Sequence, residues 1–202
     1  MLKRISIKII PVLIVIMVLT SSLILRLPLP EARAQQAAPE ITVSCRVEPE
    51  KVLVGKTGML YVSIEDVPAE TQPGYGMNAY EIHVTWTANG AIAFLESSPR
   101  PGPDPWDTDS TLVVPGLNKI NNGLGTMQSV RLLNSSTPRF SGKSDLFLAP
   151  FSTNQTGTFT FSISKASIPY YALDSILYRV VIENCSVTVD EGSAIYLPLI
   201  QR

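Results

Sequence analysis

From Ile41 to Val189 the apolar residues recur at every second position, and no stretch keeps a helical period. Ile41, Val43, Cys45 and Val47 share one face of a first strand. Leu60, Val62 and Ile64 share a face of the next, with Tyr61, Ser63 and Glu65 opposite. Tyr80, Ile82, Val84 and Trp86 form another apolar face, opposed by Ala79, Glu81, His83 and Thr85. Phe159, Phe161 and Ile163 alternate with Thr158, Thr160 and Ser162. Tyr178, Val180 and Ile182 begin a strand whose phase then shifts, so that Cys185, Val187 and Val189 take the inner face. One extra residue between these two sets predicts a bulge or bend near Asn184.

Turn signals separate the runs. They are Glu48-Pro49-Glu50, Gly55-Lys56-Thr57-Gly58, Gln72-Pro73-Gly74-Tyr75-Gly76, Asn121-Asn122-Gly123 and Ser141-Gly142-Lys143, with Asn154-Gln155-Thr156-Gly157 as a tight hairpin connection. Further strands are expected at Thr126–Leu133 and Asp145–Phe151. The pattern predicts an all-β chain, a two-sheet jelly-roll or immunoglobulin-like sandwich of about nine strands. One insertion, Ser97–Asn122, holds Pro99, Pro101, Pro103, Pro105 and Pro115 and at most a short strand at Thr111–Val114. Loops of this length are functional or disordered.

The ends read differently. A basic start (Lys3, Arg4, Lys8) precedes an uncharged apolar run, Ile9–Leu25, and then the small-x-small site Ala32-Arg33-Ala34. That order predicts a secretory signal peptide over residues 1–34 with a helical apolar segment, followed by a linker at 35–40 and the sandwich at 41–190. The alternative is an uncleaved anchor, and membrane contact is expected only through that segment. Either outcome exports the remainder to a secreted or cell-surface location. Residues 191–202 form a short tail in which Ala194–Ile200 is apolar. It reads as an edge strand interrupted by Pro198 or as a sorting or docking signal.

Charge and composition then narrow the chemistry. The chain has 202 residues and a net charge of −1, with one histidine and two cysteines. Without residues 1–34 there remain 11 basic and 16 acidic side chains. That acidic balance excludes a nucleic-acid partner, and the few soft ligands exclude a zinc cage. In an oxidising compartment two inward-facing thiols predict a Cys45–Cys185 disulfide, the alternative being two buried free thiols. The ideal gain from closing so long a loop is about 5 kcal/mol.

Several motifs in order resemble a cohesin domain, within the β-sandwich superfamily that cohesins share with carbohydrate-binding modules. They are Val52-Leu53-Val54-Gly55, the long strand Gly58–Asp66 followed by Val67-Pro68, and the run Asn78–Trp86. Ser141–Leu148, Gly157-Thr158 and Val187-Thr188-Val189 complete the set. Thr85–Gly90 departs from the Y-D-P corner that often ends the third of these. The resemblance spans Ile41–Val189. It implies a nine-stranded jelly roll whose first and last strands lie side by side, bringing Cys45 and Cys185 together. It also implies a non-enzymatic role, since cohesins hold partner modules, often dockerins, on extracellular scaffolds.

Candidate sites follow from residue type. His83 is read as a surface histidine, because no Ser-His-Asp motif accompanies it. Glu65, Asp66, Glu81 and Glu96 are read as solvated charges rather than a glycosidase pair, so no catalytic residue is assigned. Asp104, Asp107 and Asp109 are a candidate Ca²⁺ site without the EF-hand pattern, and no other cofactor is expected. Tyr75, Trp106, Tyr170 and Tyr171 are candidate ligand-binding aromatics, with Trp106 alternatively tucking the proline-rich loop against the sandwich. Asn134, Asn154 and Asn184 fit the glycan acceptor pattern but are read as turn and strand residues. The leading expectation is a protein-binding module with an extracellular, dockerin-like partner, acting through a sheet face or the Ser97–Asn122 loop. The second is a carbohydrate-binding module with a polysaccharide ligand, and the third a hydrolase.

Overall fold

The computed structural model describes residues 39–69, 76–168 and 178–192. The signal segment and the Ala194–Arg202 tail fall outside them, as does the linker up to residue 38. Among the described residues there are thirteen strands and no helix. Eight strands have five or more residues: β1 (Glu40–Glu48), β3 (Thr57–Val67), β4 (Ala79–Thr85), β9 (Thr126–Leu133), β10 (Gly142–Thr153), β11 (Gly157–Ser167), β12 (Arg179–Glu183) and β13 (Cys185–Asp190). The excess over the expected nine comes from short pairings: β2 (Lys51–Leu53), β5 (Ile92–Phe94), β6 (Arg100–Pro101), β7 (Thr111–Val113) and β8 (Lys119–Asn121).

The strands form two sheets. The first runs β12-β1-β3-β10-β5, with β6 also on β10. The second runs β2-β13-β11-β4-β9-β7, with β8 also on β9. The alternating faces read from the sequence pack against each other between them. Ile41, Val43, Leu60, Val62, Ile64, Phe147 and Phe151 come from the first sheet; Tyr80, Ile82, Val84, Met127, Phe161 and Ile163 come from the second. Aromatic rings fill both ends of this core. Trp86, Phe94, Phe151 and Phe161 meet at centroid distances of 4.7–5.9 Å at one end. Tyr80, Trp106, Phe140 and Phe147 meet at 5.1–6.3 Å at the other.

One flank of the sandwich is closed by strands that change sheets. β1 pairs in parallel with β12 in the first sheet; β2 pairs in parallel with β13 in the second. The chain therefore crosses twice, at Pro49 between β1 and β2 and at Asn184 between β12 and β13. The phase shift near Asn184 is this crossing. The Asn184 side chain accepts a hydrogen bond from Ile163 N at 2.8 Å, occupying a backbone donor beside the crossing. Cys45 of β1 and Cys185 at the start of β13 are disulfide-bonded, with Cα atoms 5.4 Å apart. The bond ties the two sheets where the strands cross.

The other flank is closed by the proline-rich insertion. It contributes β6 to the edge of the first sheet and β7 and β8 to the edge of the second. This long segment is thus ordered by pairing at both ends. The Asn154–Thr156 turn corrects the hairpin expectation. It is tight, but β10 lies in the first sheet and β11 in the second, so the strands it joins do not pair. Short polar turns serve an arch between layers as well as a hairpin.

Candidate binding face

The outer surface of the second sheet is built in cross-strand rows. Leu112 of β7 stands opposite Leu132 of β9, which stands opposite Ala79 of β4. Val130 opposes Glu81 in the next row. Lys119, Gln128, His83 and Lys165 form the third. Leu112 is 60% exposed and Leu132 39%. Leu112 and Leu132 are therefore an open apolar pair at the sheet margin, while Ala79 at the end of the row is buried. Beside this row the Glu81 carboxylate holds Lys165 Nζ and His83 Nε2, each at 2.7 Å. These contacts, Lys165 first and His83 second, hold the Glu81 pKa below its ordinary value.

This arrangement depends on an inversion of polarity along β9. The strand reads Thr-Met-Gln-Ser-Val-Arg-Leu-Leu. Its inward positions are Met127, Ser129, Arg131 and Leu133, and its outward ones include Val130 and Leu132. Apolar residues point out and polar ones in over the middle of the strand. The alternation along β4 places Ala79, Glu81, His83 and Thr85 on its outer face, as the sequence predicts, whereas Leu112, Val130 and Leu132 are outward residues that the alternation of β4 does not indicate. The reversed polarity of β9 was the signal for them.

The outer face of the first sheet is different. Ser44, Arg46, Ser63, Glu65, Lys143, Ser144 and Asp145 line a shallow groove of about 330 Å³. Its charges are closed among themselves. Arg46 donates to both Asp145 oxygens, Nη1 at 2.6 Å and Nη2 at 3.0 Å, and Nε pairs with Glu48 at 3.0 Å. Ser63 Oγ donates to Asp145 at 2.6 Å, and Lys143 pairs with Glu65. The Arg46 guanidinium holds the Asp145 carboxyl below its usual range, against the opposing effect of burial, and Ser63 adds to the shift. Among the described residues, none of the exposed large apolar side chains lies on β1, β3 or β10.

The remaining sequence candidates separate clearly. Trp106 is fully buried. Its ring packs T-shaped against Tyr80 at 5.1 Å and Phe140 at 5.8 Å, so it presents no face to a ligand, and the ligand-binding expectation for it is corrected. It plugs the flank closed by the insertion, with the loop backbone held by Gly102 N on Leu146 O at 3.0 Å. Tyr75, Tyr170 and Tyr171 lie outside the described residues. Asp107 Oδ1 accepts from Asp109 N at 3.2 Å and Ser110 N at 2.8 Å, which makes it a turn acceptor. Those amides hold its pKa down. Among the described residues no three acidic, histidine or cysteine side chains gather as a metal site, which corrects the Asp104, Asp107, Asp109 expectation. Glu96 pairs with Arg100, and Asn134 Nδ2 donates to Asp109 O at 2.8 Å.

The architecture matches solved structures. A non-cellulosomal cohesin from Archaeoglobus fulgidus superposes with a TM-score of 0.52 at 13% identity, over 75% of this chain and 92% of that one. A type II cohesin domain from the cellulosome of Acetivibrio cellulolyticus gives 0.55 at 9% identity, over 74% and 95%. A type I cohesin–dockerin complex from Clostridium thermocellum gives 0.54 at 11%, over 74% and 99%. The fold is a cohesin-like β-sandwich. No family profile and no curated protein sequence matches the chain, and at these identities the likeness is one of fold. The cohesin-like order of strands is what places β7, β9, β4 and β11 side by side and so assembles the apolar row.

Proposed function

We propose that the exported part of this chain is a non-catalytic module that grips a protein partner of the dockerin kind through the outer face of the second sheet. The observation that carries the reading is the exposed pair Leu112–Leu132, bordered by Val130 and the Glu81–His83–Lys165 cluster. A flat sheet face with exposed leucines at its margin and fixed charges beside them suits an interface with an apolar centre and a polar rim. The fold supports the choice of partner, since structures with this architecture include cohesins solved in complex with dockerins. The disulfide supports an extracellular setting. Glu65, Glu81 and Glu96 each hold a cation, which suits fixed surface charges better than a general acid.

Titration calorimetry of the purified chain against a panel of dockerin modules, with and without soluble polysaccharide, tests this. Saturable binding of a dockerin that free sugars leave unchanged is expected. Binding of polysaccharide with no response to any dockerin overturns the reading in favour of a carbohydrate-binding module.

A further inference from the structure

Arg131 is the only charged side chain that is buried among the described residues, at 4% exposure. It projects inward from β9, opposite Tyr80 of β4 and Val113 of β7. Its Nη1 donates to Thr111 Oγ1 at 3.0 Å, and Thr111 in turn donates to Asp107 O. Its Nε is buried and has no hydrogen-bond partner. Among the described residues no carboxylate lies within ion-pair distance of it; Asp107, whose Oδ1 accepts from the amides of Asp109 and Ser110, is linked to it only through its backbone carbonyl and Thr111. The Tyr80 hydroxyl meets the guanidinium but supplies no counter-charge: it donates to Leu146 O at 2.9 Å, and burial, opposed by Ser129 and Arg131, raises its pKa so that it stays a neutral phenol. The Trp106 indole N–H is a second buried donor without a partner, on a ring packed T-shaped against Tyr80 at 5.1 Å.

A guanidinium cannot shed its proton in a protein, so burial leaves it charged. A buried charge without a counter-charge is strongly unfavourable. A water molecule would satisfy Nε–H but would leave the charge uncompensated. An anion answers both needs, and the orphaned groups are donors only, the polarity an anion requires. We propose that Arg131 holds a small monovalent anion of the size of chloride inside the sandwich, between β9 and the insertion that carries Trp106 and Thr111. The ion locks that insertion onto the second sheet, directly beneath the margin where Leu112 and Leu132 are exposed. The near-complete burial of Arg131 and Trp106 restricts the occupant to an ion small enough to be enclosed as the chain folds.

Bromide reports the site without any variant. Crystals of the full chain grown in sodium bromide are expected to show an anomalous peak within hydrogen-bonding distance of Arg131 Nε. In parallel, the unfolding midpoint is followed as chloride replaces gluconate at constant ionic strength. The midpoint of the wild-type chain is expected to rise with the logarithm of chloride concentration, as for a ligand bound only by the folded state. In Arg131→Met that dependence is expected to vanish. If that variant does not fold, the two wild-type measurements decide. Both are required. Peaks on the surface alone, ordered density at Nε without anomalous signal, or a midpoint indifferent to chloride each overturn the proposal.

Discussion

At Gly102 the backbone of the insertion comes so near β10 that a Cβ atom would lie 2.0 Å from Asp145 O and 2.9 Å from Leu146 O. The closeness follows from a bulge. The β10 register slips between Asp145 and Phe147, which leaves Leu146 unpaired with β3 and frees its carbonyl for Gly102 N and Tyr80 Oη. Backbone atoms cannot yield as a flexible side chain does. Gly102→Ala is therefore expected to cost about 3 kcal/mol in denaturant unfolding, whereas Gly192→Ala, with open space around it, leaves stability within about 0.5 kcal/mol. Asp145 beside this bulge gives a pH signature. Its folded pKa lies below the unfolded value of about 3.9, because Arg46 favours the carboxylate. The stabilisation is thus complete above about pH 4 and is lost as pH falls through the folded pKa. Solvent screening of a half-exposed pair limits it to about 1 kcal/mol. Asp145→Asn should lose that amount at pH 7 in chemical denaturation, and the gap to wild type should close under acid.

Among the elements, those buried on one face were the legible ones. Ile41–Val47, Leu60–Ile64 and Tyr80–Trp86 alternate because one side of each meets the opposite sheet. The shift of phase at Asn184 was legible for the same reason: a strand that changes sheets must exchange its inner and outer faces. Pairing partners were less legible. The turn at Asn154–Thr156 has a composition that suits both a hairpin and an arch, and only the layers decide between them. Trp106 was ambiguous because a single aromatic in a proline-rich segment carries no period. The polar interior positions of β9, Ser129 and Arg131, hid its facing, and with it the candidate binding row. The cystine is the element-scale device with a measurable size. It bridges residues 140 apart beside the crossing at Asn184, and its reduction is expected to remove about 3–5 kcal/mol of unfolding free energy. Guanidinium unfolding with and without reductant measures this. A loss below about 1 kcal/mol would mean that the crossings hold without it.

The two flanks of the molecule are sealed in different ways, by crossing strands with a disulfide on one side and by a strand-edged loop plugged with Trp106 on the other. With both flanks sealed, the faces of the two sheets remain as broad surfaces, and they are not equivalent. The first is neutralised internally by Arg46–Asp145 and Lys143–Glu65. Charges already paired in this way gain little from a partner, because meeting one requires breaking contacts they already have. The second exposes Leu112 and Leu132, whose apolar area is removed from water only when something covers it. Substitution should separate the faces. Leu112→Asp and Leu132→Asp place a charge where a partner would bury it, so each is expected to weaken dockerin binding at least about thirtyfold in calorimetry. Lys143→Glu on the opposite face should change the affinity by less than about twofold. All three positions are exposed in the free protein, so the unfolding midpoints should stay close to wild type. Loss of affinity in Lys143→Glu, with the leucine variants unaffected, would move the interface to the first sheet.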